Sequence, residues 1–275
     1  MLNLSIKTRR NKMNQIVLEG SRIINDAIMS QMKLHFIFFT HEDNLKDLIN
    51  LNSIVKSSGT KLVKVLFKDM KLFSSLTTSP GLMAVCEKPD YSKPLKLQTN
   101  ENKMPLSLIC DNVRDPGNLG TILRSAVASG VSQIILTSGC ADLWNNKVIK
   151  SAAGAHFKHQ IYSNVYWDEL PNLLPEKFKL YIADSKANTD LMKSKISSSN
   201  YFEMNFFEPN NPTDNVLIIG NEAFGISVDS YKMLEEHSGK SISIPLHNNI
   251  ESLNSAMASS ILLYEIRRQF ELSQQ

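Results

Sequence analysis

The sequence predicts an α/β protein of two domains, and three observations carry that reading. In residues 106–137 the apolar period changes twice. Leu106-Ser107-Leu108-Ile109-Cys110 reads as a buried strand, Asp115-Pro116-Gly117 forces a turn, and Leu119, Ile122, Leu123, Ala126 and Val127 then recur at helical spacing until Gly130 stops them. Gln133-Ile134-Ile135-Leu136-Thr137 follows as a second strand, completing a strand–turn–helix–strand unit. The second observation is a separate strand–helix alternation over residues 16–87, about the size of a small domain. The third is the stretch Glu87 to Pro105, which has three prolines and no apolar period and so reads as a linker. A length of 275 residues also suits two domains better than one.

Taken in order, residues 1–15 form a basic arm, with Lys7, Arg9, Arg10 and Lys12 and no acid. Three readings stay open for it: the end of a transit peptide, an arm that touches RNA, or a solvated tail. In the first domain, residues 16–87, strands are expected at Ile16–Gly20, His35–Phe39, Lys61–Val65 and Gly81–Cys86. One helix runs through Ile23, Ile24, Ala27 and Ile28, and a second through Leu45, Leu48, Ile49 and Leu51. Arg22, Lys33, Lys61, Lys64, Lys68 and Lys71 are its exposed cations, either a solvated surface or an RNA contact. Residues 88–105 are the linker. The second domain, 106–275, continues from the opening unit with a helical stretch from Asp142 to Ala155 and a strand at Lys179–Ala183. A polar Asn- and Ser-rich insertion at 185–215 is expected at the rim.

Composition excludes several classes. With 42% hydrophobic residues the chain can bury a sizeable core, and a net charge of +3 gives only a mild bias towards acidic partners. No apolar run approaches the roughly 20 residues that span a bilayer, so no membrane role is expected. Cys86, Cys110 and Cys140 lack metal spacing, so no metal is expected and they read as buried reduced thiols.

Polar residues then gather at three turns, each expected at the carboxyl end of a strand, where open α/β sheets bind ligands. Asn118 and Arg124 follow the strand ending at Cys110. Asn221-Glu222-Ala223-Phe224-Gly225 follows Val216-Leu217-Ile218-Ile219-Gly220. Glu251-Ser252-Leu253-Asn254-Ser255 follows Ser241-Ile242-Ser243-Ile244-Pro245-Leu246, with Ser252 as a plausible N-cap for a long final helix.

These three stretches resemble the three motifs of the SpoU/TrmH branch of the SPOUT RNA methyltransferases. The first motif corresponds to Asn118–Arg124, the second to Ile219–Ser227, and the third to Ile244-Pro245-Leu246 with Glu251–Ala258. The resemblance extends to residues 16–87, which look like the family's L30e-like substrate-binding domain. It is nearest to the mitochondrial branch acting on large-subunit ribosomal RNA, through Asp111–Ser125, Gly154–Phe157, Tyr181–Asp184 and Leu253–Glu265. What it implies is a parallel sheet with a deep trefoil knot, S-adenosylmethionine held by the knot backbone at positions matching Gly220, Ile244 and Leu253, and a homodimer. It also implies methylation of a ribose 2′-hydroxyl, of a guanosine in the peptidyl-transferase A-loop, in the mitochondrion; a cytoplasmic location is the alternative. By motif match the catalytic set is Arg124, Asn118, Glu222, Ser252 and Asn254. A glycine-rich GxGxxG turn, the mark of the usual dinucleotide-binding alternative, occurs nowhere.

The chemistry needs a proton accepted from a weakly nucleophilic hydroxyl, an in-line arrangement, and a cation on the neighbouring phosphate. The family's arginine is proposed as the base, yet a guanidinium is effectively always charged. Arg124 is therefore read as a phosphate clamp that orients the ribose, with the other four residues orienting both. Ala223 stands where the family often has a second glycine, and the loop from His247 to Ile250 is more polar than is common. Two other functions remain: methylation of a transfer-RNA ribose, and a non-catalytic RNA-binding factor in ribosome assembly.

Overall fold

The computed structural model describes residues 4, 7–74, 78–91, 103–184, 198–208 and 213–275. Parts of the arm (1–3, 5–6), the middle of the linker (92–102) and most of the insertion (185–197, 209–212) lie outside the described residues.

The elements run α1 (Lys7–Met13), β1 (Gln15–Glu19), α2 (Ser21–Met29), β2 (Leu34–Phe39), α3 (Asp43–Lys46), α4 (Leu51–Ser58), β3 (Lys61–Lys64), α5 (Phe67–Phe73) and β4 (Leu82–Glu87). They continue with β5 (Met104–Cys110), α6 (Pro116–Ser129), β6 (Val131–Thr137), α7 (Asn146–Ala152), α8 (Ala155–Lys158), β7 (Ile161–Val165) and β8 (Phe178–Ala183). The last are β9 (Ser198–Asn200), β10 (Asp214–Ile219), α9 (Val228–Glu236), β11 (Lys240–Ser243) and α10 (Ser255–Ser273). Two compact units result. One holds residues 1–98 together with Asp142–Gln160, and the other holds Thr99–Ala141 with Ile161–Gln275.

The first unit has a four-stranded sheet in the order β1-β4-β2-β3. Its β4 pairs antiparallel with β1 and β2, and β2 pairs parallel with β3. The central β4 is buried from Leu82 to Cys86, as its unbroken apolar run requires. The helix expected through Leu45 and Leu51 is broken into α3 and α4 at Asn50, which takes a left-handed φ of 51° that asparagine tolerates. In the arm, Arg10 is buried, donates to Leu4 O at 3.1 Å and pairs with Asp142, so that cation is committed within the unit.

Residues 142–160 stood in the second domain by sequence order; they pack here. The expected helix breaks at Ala153 and Gly154, with φ of 47° and 87°. A Cβ at Gly154 would collide with the Asp26 carboxylate, which also pairs with Lys158 at 2.9 Å. His156 is fully buried, with Nε2 against Leu143 O at 2.8 Å and its ring 5.0 Å from that of Trp144. Burial lowers its pKa to about 4, against weaker opposing effects of Leu143 O and Asp142. The folded state thus holds this imidazole neutral while the unfolded chain protonates it near 6.5. The stability it contributes is complete above pH 6.5 and is lost as pH falls through 4, at most roughly 3 kcal/mol. His156→Gln keeps a donor for Leu143 O but cannot titrate. Thermal unfolding between pH 6.5 and 4 should therefore depend less steeply on pH in this variant, by about one proton.

The second unit is a seven-stranded sheet in the order β7-β6-β5-β10-β8-β11-β9, parallel at every pairing. Its strands are buried through consecutive positions, as in Val216–Ile219 and Leu180–Ile182. From β5 the chain proceeds outward to β6 and β7, whereas β10 returns to lie between β5 and β8. Strand order reverses there, and a ligand crevice is expected beyond the carboxyl ends of the strands at such a point. Of the described insertion residues, Ser198–Asn200 supply the edge strand β9 beside β11. All three cysteines are free; burial raises each thiol's pKa, that of Cys140 to about 11, so all stay protonated. Among the described residues no helix is long and apolar enough to cross a membrane, and no group of three or more His, Cys, Asp or Glu is placed to hold a metal ion.

Candidate active site

Three chain segments meet at that switch point. The first is the start of α6. Asp115 caps it by accepting from Asn118 N at 2.8 Å, and Pro116 fits a position whose N–H would otherwise be unpaired. Asn118 thereby stands in the first turn.

The second segment follows β10. Asn221 and Gly225 exchange backbone hydrogen bonds of 2.9 and 2.8 Å, and Asn221 Oδ1 accepts from Ala223 N and Phe224 N at 2.9 and 3.1 Å. Asn221 Nδ2 donates to Asn112 O at 2.7 Å, tying this small hairpin to the loop after β5. A Cβ on Gly220 would lie 2.6 Å from Gly225 O. The hairpin's own closure thus requires the glycine. Behind it, Asp111 is fully buried and accepts from Ser227 N at 2.8 Å and Ser230 Oγ at 2.7 Å, fixing the start of α9.

The third segment leads into α10. Ser252, expected as the N-cap, lies before the helix; Asn254 is the cap, with Oδ1 accepting from Ala256 N at 3.0 Å and Met257 N at 3.3 Å. Its carboxamide reaches both ways, since Nδ2 donates to Glu222 Oε1 at 2.6 Å and to Asn118 Oδ1 at 3.0 Å. Asn118 Nδ2 donates to the same Glu222 oxygen, as do Ser255 N at 3.2 Å and Ser255 Oγ at 3.3 Å. Asn118, Glu222 and Asn254 are therefore one hydrogen-bonded cluster from three stretches spread over 137 residues of sequence (118 to 254). No described contact falls on Glu222 Oε2.

Beside the cluster opens a cleft with about 870 Å³ of atom-free space, part of it open solvent. Gly220, Ile244, Leu253 and Ser252 all line it, together with Glu222, Asp184 and the apolar Ile219, Ile242, Leu246 and Leu262. Tyr231 hydrogen-bonds the Asp184 carboxylate. Arg124 is the exception among the expected residues. It is exposed on α6, six residues beyond Asn118, and no hydrogen bond or ion pair joins it to the cluster among the described residues. Six residues advance a helix by about 9 Å and turn it away from the starting face. Ser255, Asp111 and Asp184 lie in stretches the sequence singles out but receive no site role there. A carboxylate directly after an apolar strand was the available signal for both aspartates.

The model of the SpoU rRNA methylase family matches residues 105–264. Mitochondrial rRNA methyltransferase 3 of Xenopus laevis is 38% identical over 96% of this chain and 72% of that protein. The human protein of the same name is 36% identical over 96% and 70%. A Bacillus subtilis 23S rRNA (guanosine(2553)-2′-O)-methyltransferase, RlmP, is 28% identical over 96% and 93%. Two solved structures share the fold. The methyltransferase AviRb from Streptomyces viridochromogenes, in complex with AdoMet, has a TM-score of 0.74 at 22% identity over 97% of this chain and 94% of that one. An AdoMet-bound rRNA methyltransferase from Sinorhizobium meliloti has a TM-score of 0.75 at 23% identity over 96% and 91%. With its site elements all inside the matched residues, the chain belongs to the SpoU rRNA methylase family.

Proposed function

We propose that this protein transfers the methyl group of S-adenosylmethionine to a ribose 2′-hydroxyl of large-subunit ribosomal RNA, on a guanosine of the A-loop, in the mitochondrion. The observation that carries the reading is the Asn118–Glu222–Asn254 cluster standing beside the cleft lined by Gly220, Ile244 and Leu253. The names of the Xenopus, human and Bacillus relatives support the substrate class, and the first two support the compartment.

The cleft suits the cofactor. Ile219, Ile242, Ile244 and Leu246 give apolar wall for a purine, and Asp184 and Ser252 give polar partners. Gly220, Ile244 and Leu253 would hold it through their backbone within a trefoil knot, a rare exception to ordinary chain topology. When bound, S-adenosylmethionine supplies an electrophilic methyl group. The residues of this chain do the rest: Glu222, Asn118 and Asn254 fix one another and orient the ribose, with Ser252 at the rim. Arg124 grips the neighbouring phosphate with its planar fork, and that phosphate accepts the proton that the 2′-hydroxyl gives up as its oxygen takes the methyl group.

Incubating the protein with radiolabelled S-adenosylmethionine and unmodified ribosomal RNA should label one ribose, to be located by mapping. Labelling of transfer RNA alone favours the transfer-RNA reading, and absence of transfer to either favours the assembly factor.

Arg124 stands away from its own subunit's cluster, which is the reason to propose a homodimer in which it serves the partner's site. Met257, Ile261 and Tyr264 are exposed at 59%, 37% and 52% and recur along one face of α10. Ser260 on the same helix bonds Ser125 of α6 at 2.7 Å, so that face lies next to the helix that carries Arg124. Met257→Asp with Ile261→Asp should yield a monomer by sedimentation and at least a tenfold loss of transfer, on the scale of interface anchors. A wild-type monomer that remains active at micromolar concentration would sink the dimer.

The first unit is proposed to bind RNA and to take no part in cofactor binding. Removing residues 1–95 is no clean test, because Asp142 and His156 pack in that unit. Lys64→Glu with Lys68→Glu and Lys71→Glu should instead weaken RNA binding and its salt dependence, leaving cofactor affinity unchanged. Calorimetric loss of cofactor binding in the folded triple variant would refute the division.

A further inference from the structure

Phe224 is 77% exposed, the most exposed large apolar side chain among the described residues, yet its backbone N–H is tied into a closed hairpin. Asn221 Oδ1 accepts from its N–H at 3.1 Å, the Asn221–Gly225 pair closes the hairpin on either side, and Asn112 O anchors the whole to the loop after β5. Gly225 permits this closure with a φ of 71°. A rigid hairpin that pushes an aromatic ring into water has no stabilising purpose in the isolated subunit, since a polar residue would serve the turn equally well. The ring stands where it matters, lining the cleft next to Glu222.

Arg114 adds the second observation. Its guanidinium carbon lies 5.4 Å from the Phe224 ring centroid, a cation–π distance, and the residue is exposed in the loop before α6. No hydrogen bond or ion pair to Arg114 is described, so its charge faces outward with its donors available. An exposed aromatic face beside an arginine offers what one nucleotide needs: a surface for the base and a fork for the phosphate.

Building on the proposed RNA methylation, we propose that Phe224 and Arg114 form a stacking platform that receives a nucleobase of the RNA substrate at the mouth of the cleft and so places the neighbouring ribose over Glu222. The alternative occupant is the adenine of the cofactor. The charge argues against it, since S-adenosylmethionine is net positive and would meet the Arg114 guanidinium, whereas RNA brings phosphates to it. Stacking tolerates any base, so the platform contributes affinity and placement, and base identity is read by other groups.

The test uses the full-length protein, unmodified ribosomal RNA and four variants, with kcat and KM for RNA measured beside calorimetric affinity for S-adenosylmethionine. Phe224→Ala should raise KM for RNA about tenfold or more. Phe224→Leu, which keeps apolar bulk but loses the π face, should behave like alanine, and Phe224→Trp should match or exceed wild type. Arg114→Ala should raise KM and flatten its salt dependence. All four should keep cofactor affinity within about twofold and melt near wild type, because both side chains are exposed. Wild-type KM in the alanine variant, full rescue by leucine, or a parallel fall in cofactor affinity would each overturn the platform. Absence of transfer by the wild-type protein is a separate result, which fells the methylation reading and the platform with it.

Discussion

Arg124→Ala should lower methyl transfer by about 10²–10³-fold, the usual cost of removing one preorganised donor at a reacting centre, while cofactor affinity stays within a few-fold. The loss follows from the proposed dimer, in which Arg124 reaches the partner's site, and the unchanged cofactor affinity rests on position. Arg124 is exposed on α6 and does not line the cleft. Loss of its side chain also leaves the α6 core of Leu119, Ile122, Leu123 and Ala126 intact. Arg124→Lys separates the two roles open to this residue. Lysine preserves the charge but not the planar fork that fixes two oxygens at once, so a clamp should recover RNA affinity and only a small part of the rate. A true base would behave otherwise, because an amine deprotonates far more readily than a guanidinium. Turnover of Arg124→Lys that approaches wild type near a pH of roughly 9 would overturn the clamp and favour the base.

The opening unit, β5–α6–β6, was legible because its signals agree at every level. The apolar period changes from strand to helix, Asp115 and Pro116 open α6, and Gly130 closes it with a left-handed φ of 78°. The three polar turns were legible as well, and the structure gathers Asn118, Glu222 and Asn254 from them into one cluster. Strand order was not. Val216–Ile219 and Leu180–Ile182 are equally apolar runs, and nothing in such a run says that β10 returns to lie beside β5. The placement of residues 142–160 was hidden for a related reason. It depends on partners far away in sequence, Arg10 for Asp142 and Asp26 for Lys158. The start of α10 was misplaced because Ser252, Asn254 and Ser255 are all good caps by type. Only geometry shows that Asn254 alone turns its oxygen to the helix and its amide to Glu222.

Glu222 should prove nearly as sensitive as Arg124, and for a different reason. Its Oε1 accepts from Asn118 Nδ2, Asn254 Nδ2, Ser255 N and Ser255 Oγ, so one oxygen aligns side chains from the two other segments. Glu222→Ala removes that alignment. Asn118 and Asn254 are accessible enough to turn to water, so folding should lose little, whereas a displacement of about 1 Å at a reacting centre can cost about 10²-fold in rate. Glu222→Gln divides the role further. Its carbonyl can accept the same donors and hold the cluster, but Oε2, which no described residue engages, becomes an NH2 group that donates where the carboxylate would accept. If that oxygen orients the ribose hydroxyl, glutamine should retain the wild-type melting temperature and cofactor affinity and still lose about tenfold or more in kcat, with KM for RNA little changed, since only interactions made in the transition state lower kcat without raising KM. Wild-type kcat in Glu222→Gln would reduce Glu222 to a scaffold, and wild-type kcat in Glu222→Ala would remove the cluster from the site altogether.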